Sequence, residues 1–244
     1  MNNLAYEQMK SEENTHWWFT ARRKIVQSII SDIDFINKEK ISILDIGCGT
    51  GGNLPMLSTF GNVTGLEMDY EAVKMSKEKG IGEIVHGSIP GNFETSNKYN
   101  IITLLDVLEH IENDKQALID IKKYLLKVDS RLIITVPAFQ FLWSQHDVFL
   151  HHKRRYTKKI LKKVLSEAGY EIKLLSYYNF FLFLPISLVR IVLSIFGDKE
   201  SSMQDPSKWA NKFFYKVFSF ERYLLKNSSL PFGVSLIAVV EKND

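Results

Sequence analysis
Residues 41–52 read ISILDIGCGTGG, an apolar run with β-branched residues that breaks into four glycines within six positions. That is the pattern of a buried strand driven into a tight turn. Gly47, Gly49, Gly51 and Gly52 let the backbone take left-handed angles and approach a ligand with no Cβ in the way. A helix expected from about Asn53 would point its free N–H groups at an anion. The chain around this loop is therefore expected to be an α/β sheet protein with a ligand at the strand ends.

Spacing alone leaves the ligand open, because Gly47, Gly49 and Gly52 also satisfy the dinucleotide pattern G-x-G-x-x-G. Asp45, two residues before the first glycine, argues against a pyrophosphate and for a cofactor with an ammonium and a sulfonium. With it, LDIGCGTG resembles the first motif of the class I S-adenosylmethionine-dependent methyltransferases. The next strand, residues 62–67, ends in Glu67, which is suited to accept the two ribose hydroxyls of an adenosine. The resemblance implies a cofactor site that also takes in Met68, Leu105 and Asp106, with S-adenosylhomocysteine as the product. Where the family has an acidic residue near the adenine amine, this chain has Ser88. A hydroxyl can still accept that hydrogen bond.

With 244 residues, 45% of them hydrophobic, the chain suffices for one core with an attached helical layer, and a single domain over 1–244 is expected. The net charge of +3 is too mild to demand a nucleic-acid partner, and no NPPY-type tetrapeptide of a nucleobase methyltransferase occurs. Cys48 is the sole cysteine, which excludes an internal disulfide. Together with an amino terminus that lacks a signal-peptide pattern, this suggests a cytoplasmic protein. An RNA methyltransferase, a nicotinamide-dependent dehydrogenase and a silent cofactor-binding module are the alternatives.

Strands are read at 81–86, 99–105, 131–136, 171–178 and 233–241, with helical patterns at 70–79, from Asn113 or Asp114, and from Thr157. The alternation predicts a Rossmann-like, mostly parallel seven-stranded sheet with helices on both faces. Residues 1–37 are expected to form a helical lid. Its EENTHWWFTARR stretch either seals a helix against the sheet or covers the cofactor, with Trp18 above it and Arg22 or Arg23 on its carboxylate. Residues 180–230 are read as a helical cap inserted before the last strand. Its first helix, 17 residues with Pro185 and Arg190 inside, is too short and too charged to span a bilayer. Peripheral contact through Lys208, Lys212 and Lys216 is one option, and it would suit a lipid-linked acceptor.

Two segments hold candidate chemistry. In DVLEHI, His110 is either a general base or a turn histidine. Asp106, Glu109 and His110 also resemble the segment that ubiquinone-pathway O-methyltransferases associate with a divalent metal, but a glutamate stands there where this chain has Asp106. The shorter carboxylate speaks against a resident metal. In the loop 138–156, His146, Asp147, His152, Arg154, Arg155 and Tyr156 resemble the HD…H-x-RRY pattern of bacterial methyltransferases found with glycan and secondary-metabolite genes. An Asp–His pair there can orient a base, so His146 and His152 join His110 as catalytic candidates. Asp147, Arg154, Arg155 and Tyr156 are the expected substrate contacts. The acceptor is expected to be a small molecule or a glycan- or lipid-linked metabolite, methylated on oxygen.

Overall fold
The computed structural model describes residues 3–34, 41–125, 130–196 and 206–243. Seven strands form one sheet in the order β3-β2-β1-β4-β5-β7-β6. They are β1 (Ser42–Ile46), β2 (Asn62–Glu67), β3 (Glu83–His86), β4 (Ile101–Leu105), β5 (Arg131–Pro137), β6 (Tyr170–Tyr178) and β7 (Ser235–Lys242). β1 to β5 pair in parallel, while β7 slots between β5 and β6 antiparallel to both. The expected mostly parallel sheet is what forms. β3 starts two residues later than the sequence suggested, because Gly82 takes φ +68 and turns the chain before it can pair.

Alternate residues of each strand feed two cores, the period-two consequence of a pleated strand covered on both sides. Leu44, Ile102, Ile134 and Ala238 point to one face, where α5 (Asp114–Lys122) and α7 (Lys158–Glu167) contribute Leu118, Ile121, Leu161 and Leu165. Ile43, Ile101, Ile133 and Ile237 point to the other, where they meet Ile25 and Ile29 of α2 (Trp17–Ser31), Leu54 of α3 (Leu54–Leu57) and Val73 of α4 (Tyr70–Lys77). Phe218 of α9 (Lys208–Leu225) completes this layer. Asn113 caps α5 and Thr157 caps α7 by accepting from the N–H groups of Gln116 and Ile160.

Trp17 sits against Phe214 and Phe218, so it seals α2 to α9 rather than to the sheet. Asn211 of α9 clamps the start of α2, its Oδ1 accepting from Trp17 N–H at 2.8 Å and its Nδ2 donating to the Thr15 carbonyl at 2.8 Å. α1 (Asn3–Glu12) lies beyond that start, over the glycine loop. There Glu13 accepts from the Thr50 hydroxyl at 2.5 Å and pairs with Lys79. α8 (Phe183–Phe196) begins beside α9, where the buried Glu221 accepts from the N–H groups of Phe180 and Phe181 at 2.8 and 3.2 Å. Residues 1–2 and 35–37 of the expected lid and 197–205 of the expected cap lie outside the described residues.

Candidate active site
The strand ends of β1, β2 and β4 open into a cavity of about 1090 Å³. Its floor is the glycine loop. Gly47 has φ +69, and a Cβ there would come within 2.6 Å of Val107, so the turn demands glycine. Glu67 is buried at the tip of β2 and accepts from the N–H groups of Gly49, Met68 and Asp69 at 2.8–2.9 Å, which ties the loop to the strand end. The Tyr6 hydroxyl of α1 reaches the same carboxylate at 3.5 Å. Gly47, Gly49, Asn53, Glu67, Met68 and Ser88 all line the cavity, as do Leu105 and Asp106 beyond them. The helix after the loop is a single turn with Pro55 in it, so the expected helix-terminus anion site does not form.

Two of the expected cofactor residues stand elsewhere. Asp45 is buried behind the cavity wall, with one carboxylate oxygen accepting from Thr103 at 2.6 Å and the other without a hydrogen-bond partner among the described residues. Burial, with the Glu67 charge adding to it, pushes its carboxyl up to about 6 against the pull of Thr103 and Arg22. Gly51 does not line the cavity; a Cβ there would meet Leu54 and Lys79 at 3.0 and 3.1 Å.

Trp18, Arg22 and Arg23 of α2 line the opposite wall. Trp18 stacks on Tyr178 and Phe218, and Arg22 forms an ion pair with Asp106. Asp106 holds φ +59, a left-handed angle that a non-glycine residue keeps only where its surroundings enforce it. Here the enforcement comes from Arg22 and from the Thr135 hydroxyl, which donates to it at 3.1 Å.

The third wall brings together residues far apart in sequence. A short turn, Leu108–His110, and the loop after β5 place His110 and His152 with ring centroids 4.7 Å apart. Asp147, in the capping box of α6 (Gln145–Phe149), accepts from His152 Nδ1 at 2.9 Å. Arg155 donates to the same carboxylate through Nε and Nη2 at 2.8 and 2.9 Å. Burial opposes the Asp147 charge, but the bonds from His152 and Arg155 outweigh it and hold its carboxyl well below the ordinary carboxylate range. An ionised Asp147 can only accept, so it fixes the proton on His152 Nδ1 and leaves Nε2 as the basic nitrogen. Burial, with His152 beside it, lowers His110 to about 4; burial and Arg190 do the same for His146. Both imidazoles are neutral at neutral pH.

His110, His146, His152 and Arg155 line the cavity, but three of the expected substrate contacts do not. Asp147 is wholly buried and acts through His152 and Arg155. Tyr156 is buried in the core, its hydroxyl donating to Asp114 at 2.7 Å. Arg154 points outward, donating to the Glu112 carbonyl at 2.7 Å and pairing with Asp114 at 3.2 Å. The metal candidates are also rearranged. Asp106 is occupied by Arg22, while Glu109, His110 and His152 bring ligand atoms within 4.8 Å of one another. Glu109 is fully buried in the cavity wall and neither of its oxygens has a hydrogen-bond partner among the described residues. Burial and the Asp106 charge raise its carboxyl well above the usual range.

The sequence reading missed Tyr6, Glu13, Trp143 and Arg190, all of which line the cavity. Only Arg190 carried a signal, as an unexplained charge in an apolar helix. Asn53 Oδ1 and Arg22 Nε, both on the cavity wall, are buried without hydrogen-bond partners among the described residues. A floor that excludes side chains, an acid at the tip of β2 and orphaned polar atoms around it fit an adenosyl ligand with a polar tail.

Comparison with known proteins agrees with this geometry. An uncharacterised protein of Methanocaldococcus jannaschii is 34% identical over 145 residues, covering 58% of this chain and 52% of that one, so the chain spans about half the length of that relative. A ubiquinone biosynthesis O-methyltransferase of Rickettsia canadensis is 29% identical over 166 residues, 61% of this chain and 70% of its own. Among solved structures, the plantazolicin methyltransferase BpumL in complex with S-adenosylhomocysteine superposes with a TM-score of 0.63 at 18% identity, over 98% of this chain and 90% of that one. Residues 18–175 match the methyltransferase domain model, and α8, α9 and β7 lie beyond the match. The chain belongs to the methyltransferase domain family, whose methyl donor is S-adenosylmethionine.

Proposed function
We propose that this protein transfers a methyl group to an oxygen of a small-molecule acceptor that has an apolar portion, with His152 as general base. The observation that carries the reading is the Asp147–His152 pair, whose imidazole lines the same cavity as the glycine loop. S-adenosylmethionine supplies an electrophilic methyl on a sulfonium. Gly47, Gly49, Asn53, Glu67 and Ser88 would hold it, with the Asp45 charge behind the loop favouring the cation through the low-dielectric wall. His152 Nε2 takes the acceptor hydroxyl proton as oxygen attacks, and Asp147 stabilises the imidazolium. Trp143, Phe149, Leu182, Pro185 and Ile186 line the acceptor side, which suits an aromatic or aliphatic body.

The test is transfer of labelled methyl from S-adenosylmethionine to a simple phenol and a long-chain alkyl phenol, with calorimetric binding of S-adenosylhomocysteine alongside. His152→Gln is expected to keep product binding and lose about 10²–10⁴-fold in turnover. Equal turnover in the variant would remove His152 from the role.

A second reading rests on the Glu109, His110 and His152 cluster with its two orphaned carboxylate oxygens. Two imidazoles and a carboxylate suit zinc or a similar transition ion better than magnesium. A metal there would use the nitrogen needed for general base catalysis. Zn²⁺ titration of chelator-stripped protein separates the two, since tight binding lost in Glu109→Gln supports the metal and turnover unchanged by chelator supports the base.

A further inference from the structure
α8 lines the cavity with Pro185, Ile186, Val189 and Arg190, and presents a different face to solvent. On that face Leu184, Leu188 and Val192 recur at helical intervals, Leu184 and Leu188 being 69% and 64% exposed, and the exposed Phe181 just before the helix extends the row. α9 repeats the arrangement with Trp209, Phe213, Phe220 and Tyr223, spaced i, i+4, i+11 and i+14 and all exposed. The two stripes join where the Phe181 and Phe220 rings lie 6.3 Å apart. Scattered apolar residues are ordinary on a surface, but two adjoining stripes of this size mark an interaction face.

The charges say what that face meets. Lys216 falls on the α9 stripe and Lys208 and Lys212 flank it, all exposed and none in an ion pair among the described residues. α8 contains no carboxylate, and the only one in α9, Glu221, is buried against Phe180 and Phe181. We infer that the joint outer face of α8 and α9 docks on an anionic lipid bilayer, both helices lying in the plane of the interface. Aromatic rings and aliphatic side chains enter the headgroup boundary while lysines meet lipid phosphates. A 14-residue α8 is about 21 Å long, short of the ~30 Å needed to cross. A second copy on a two-fold axis is disfavoured, because it would bring the lysines of both copies together with no exposed carboxylate from either helix to answer them. The docking stands whether or not the acceptor is itself lipid-linked.

The test is flotation of the full chain with vesicles of phosphatidylglycerol and phosphatidylcholine in equal parts, against pure phosphatidylcholine, with sedimentation velocity in the absence of lipid. Binding to the anionic vesicles is expected. It should be lost in Leu184→Glu/Leu188→Glu, and weakened about a hundredfold in Lys208→Gln/Lys212→Gln/Lys216→Gln and at high salt. Thermal unfolding confirms that the variants fold, and Trp209→Ser/Phe213→Ser replaces the leucine variant if that one does not. The proposal is overturned if the wild type leaves anionic vesicles unbound at low salt, if folded variants bind as well as the wild type, or if the chain forms a dimer that the leucine substitutions split while vesicles stay unbound.

Discussion

One carboxylate, Asp147, accepts from His152, from Nε and Nη2 of Arg155 and from the Ser144 N–H, and so sets the tautomer of the imidazole at the cavity. Asp147→Asn should leave S-adenosylhomocysteine affinity unchanged and lower turnover by about 10³–10⁴-fold, as the wrong tautomer would. It also strands the buried Arg155 charge, so urea unfolding should report a loss of about 3–5 kcal/mol. Gly47→Ala meets both a left-handed φ and a 2.6 Å contact with Val107 and should weaken calorimetric binding of the product more than tenfold. The proposed role of Asp45 carries a pH dependence for cofactor binding. With its carboxyl pushed up to about 6, it is ionised at pH 7.5 and half protonated near 6, so affinity should fall between pH 7.5 and 5. The fall should be steeper for S-adenosylmethionine than for S-adenosylhomocysteine, because only the former carries the sulfonium charge that Asp45 favours.

Between elements, Glu221 ties α9 to the first turn before α8 and carries a cost. Burial pushes its carboxyl up to about 7, against the N–H groups of Phe181, Phe180 and Asn179 that stabilise its charge. A raised acid holds its proton in the folded state over a range where the unfolded chain has lost it. Its contribution to stability is therefore full below about 4.5 and is lost as pH rises through about 7. A shift of that size corresponds to roughly 3 kcal/mol, so the stability of Glu221→Gln measured in urea should vary by about that much less between pH 4.5 and 7.5. The N-terminal helices are held by a different kind of contact. Glu13 bonds Thr50 and Lys79 across the glycine loop, and a Cβ on Gly52 would meet that carboxylate at 2.6 Å. The close approach of α1 to the loop is thus written partly as a missing side chain.

For the molecule as a whole, a ligand that binds only the folded state stabilises it by mass action. S-adenosylhomocysteine at a hundred times its Kd should add about 2.7 kcal/mol and raise the melting temperature by roughly 5–10 °C, with no shift from NAD. A shift from NAD alone would return the glycine loop to the dinucleotide reading. No described helix is long and apolar enough to cross a membrane.

The sheet was legible in the residues because its signals are local. Ile41, Ile43 and Ile46 run into glycines, RLIITV stops at Pro137, and each buried strand announces itself through its own side chains. The place of β7 between β5 and β6 was not legible, since pairing order depends on which edges meet after a crossover of some fifty residues. The glycine loop was legible from one motif because its left-handed turns are written in closely spaced glycines. The wall opposite it was legible in composition but not in arrangement. HDVFLHHKRRY lies in a loop that lines the cavity, yet nothing in it says that His152 faces the cavity while Arg154 faces solvent and Tyr156 the core. Likewise Asp106 and Glu109 are equivalent carboxylates in sequence, and only packing gives one an arginine and leaves the other buried without a hydrogen bond. The sequence by itself determined a methyltransferase sheet and its cofactor loop, because strand burial and left-handed turns are properties of neighbouring residues. The tertiary structure alone decided which charges are paired, buried or bare, because desolvation and Coulomb energy depend on distances that folding sets between residues remote along the chain.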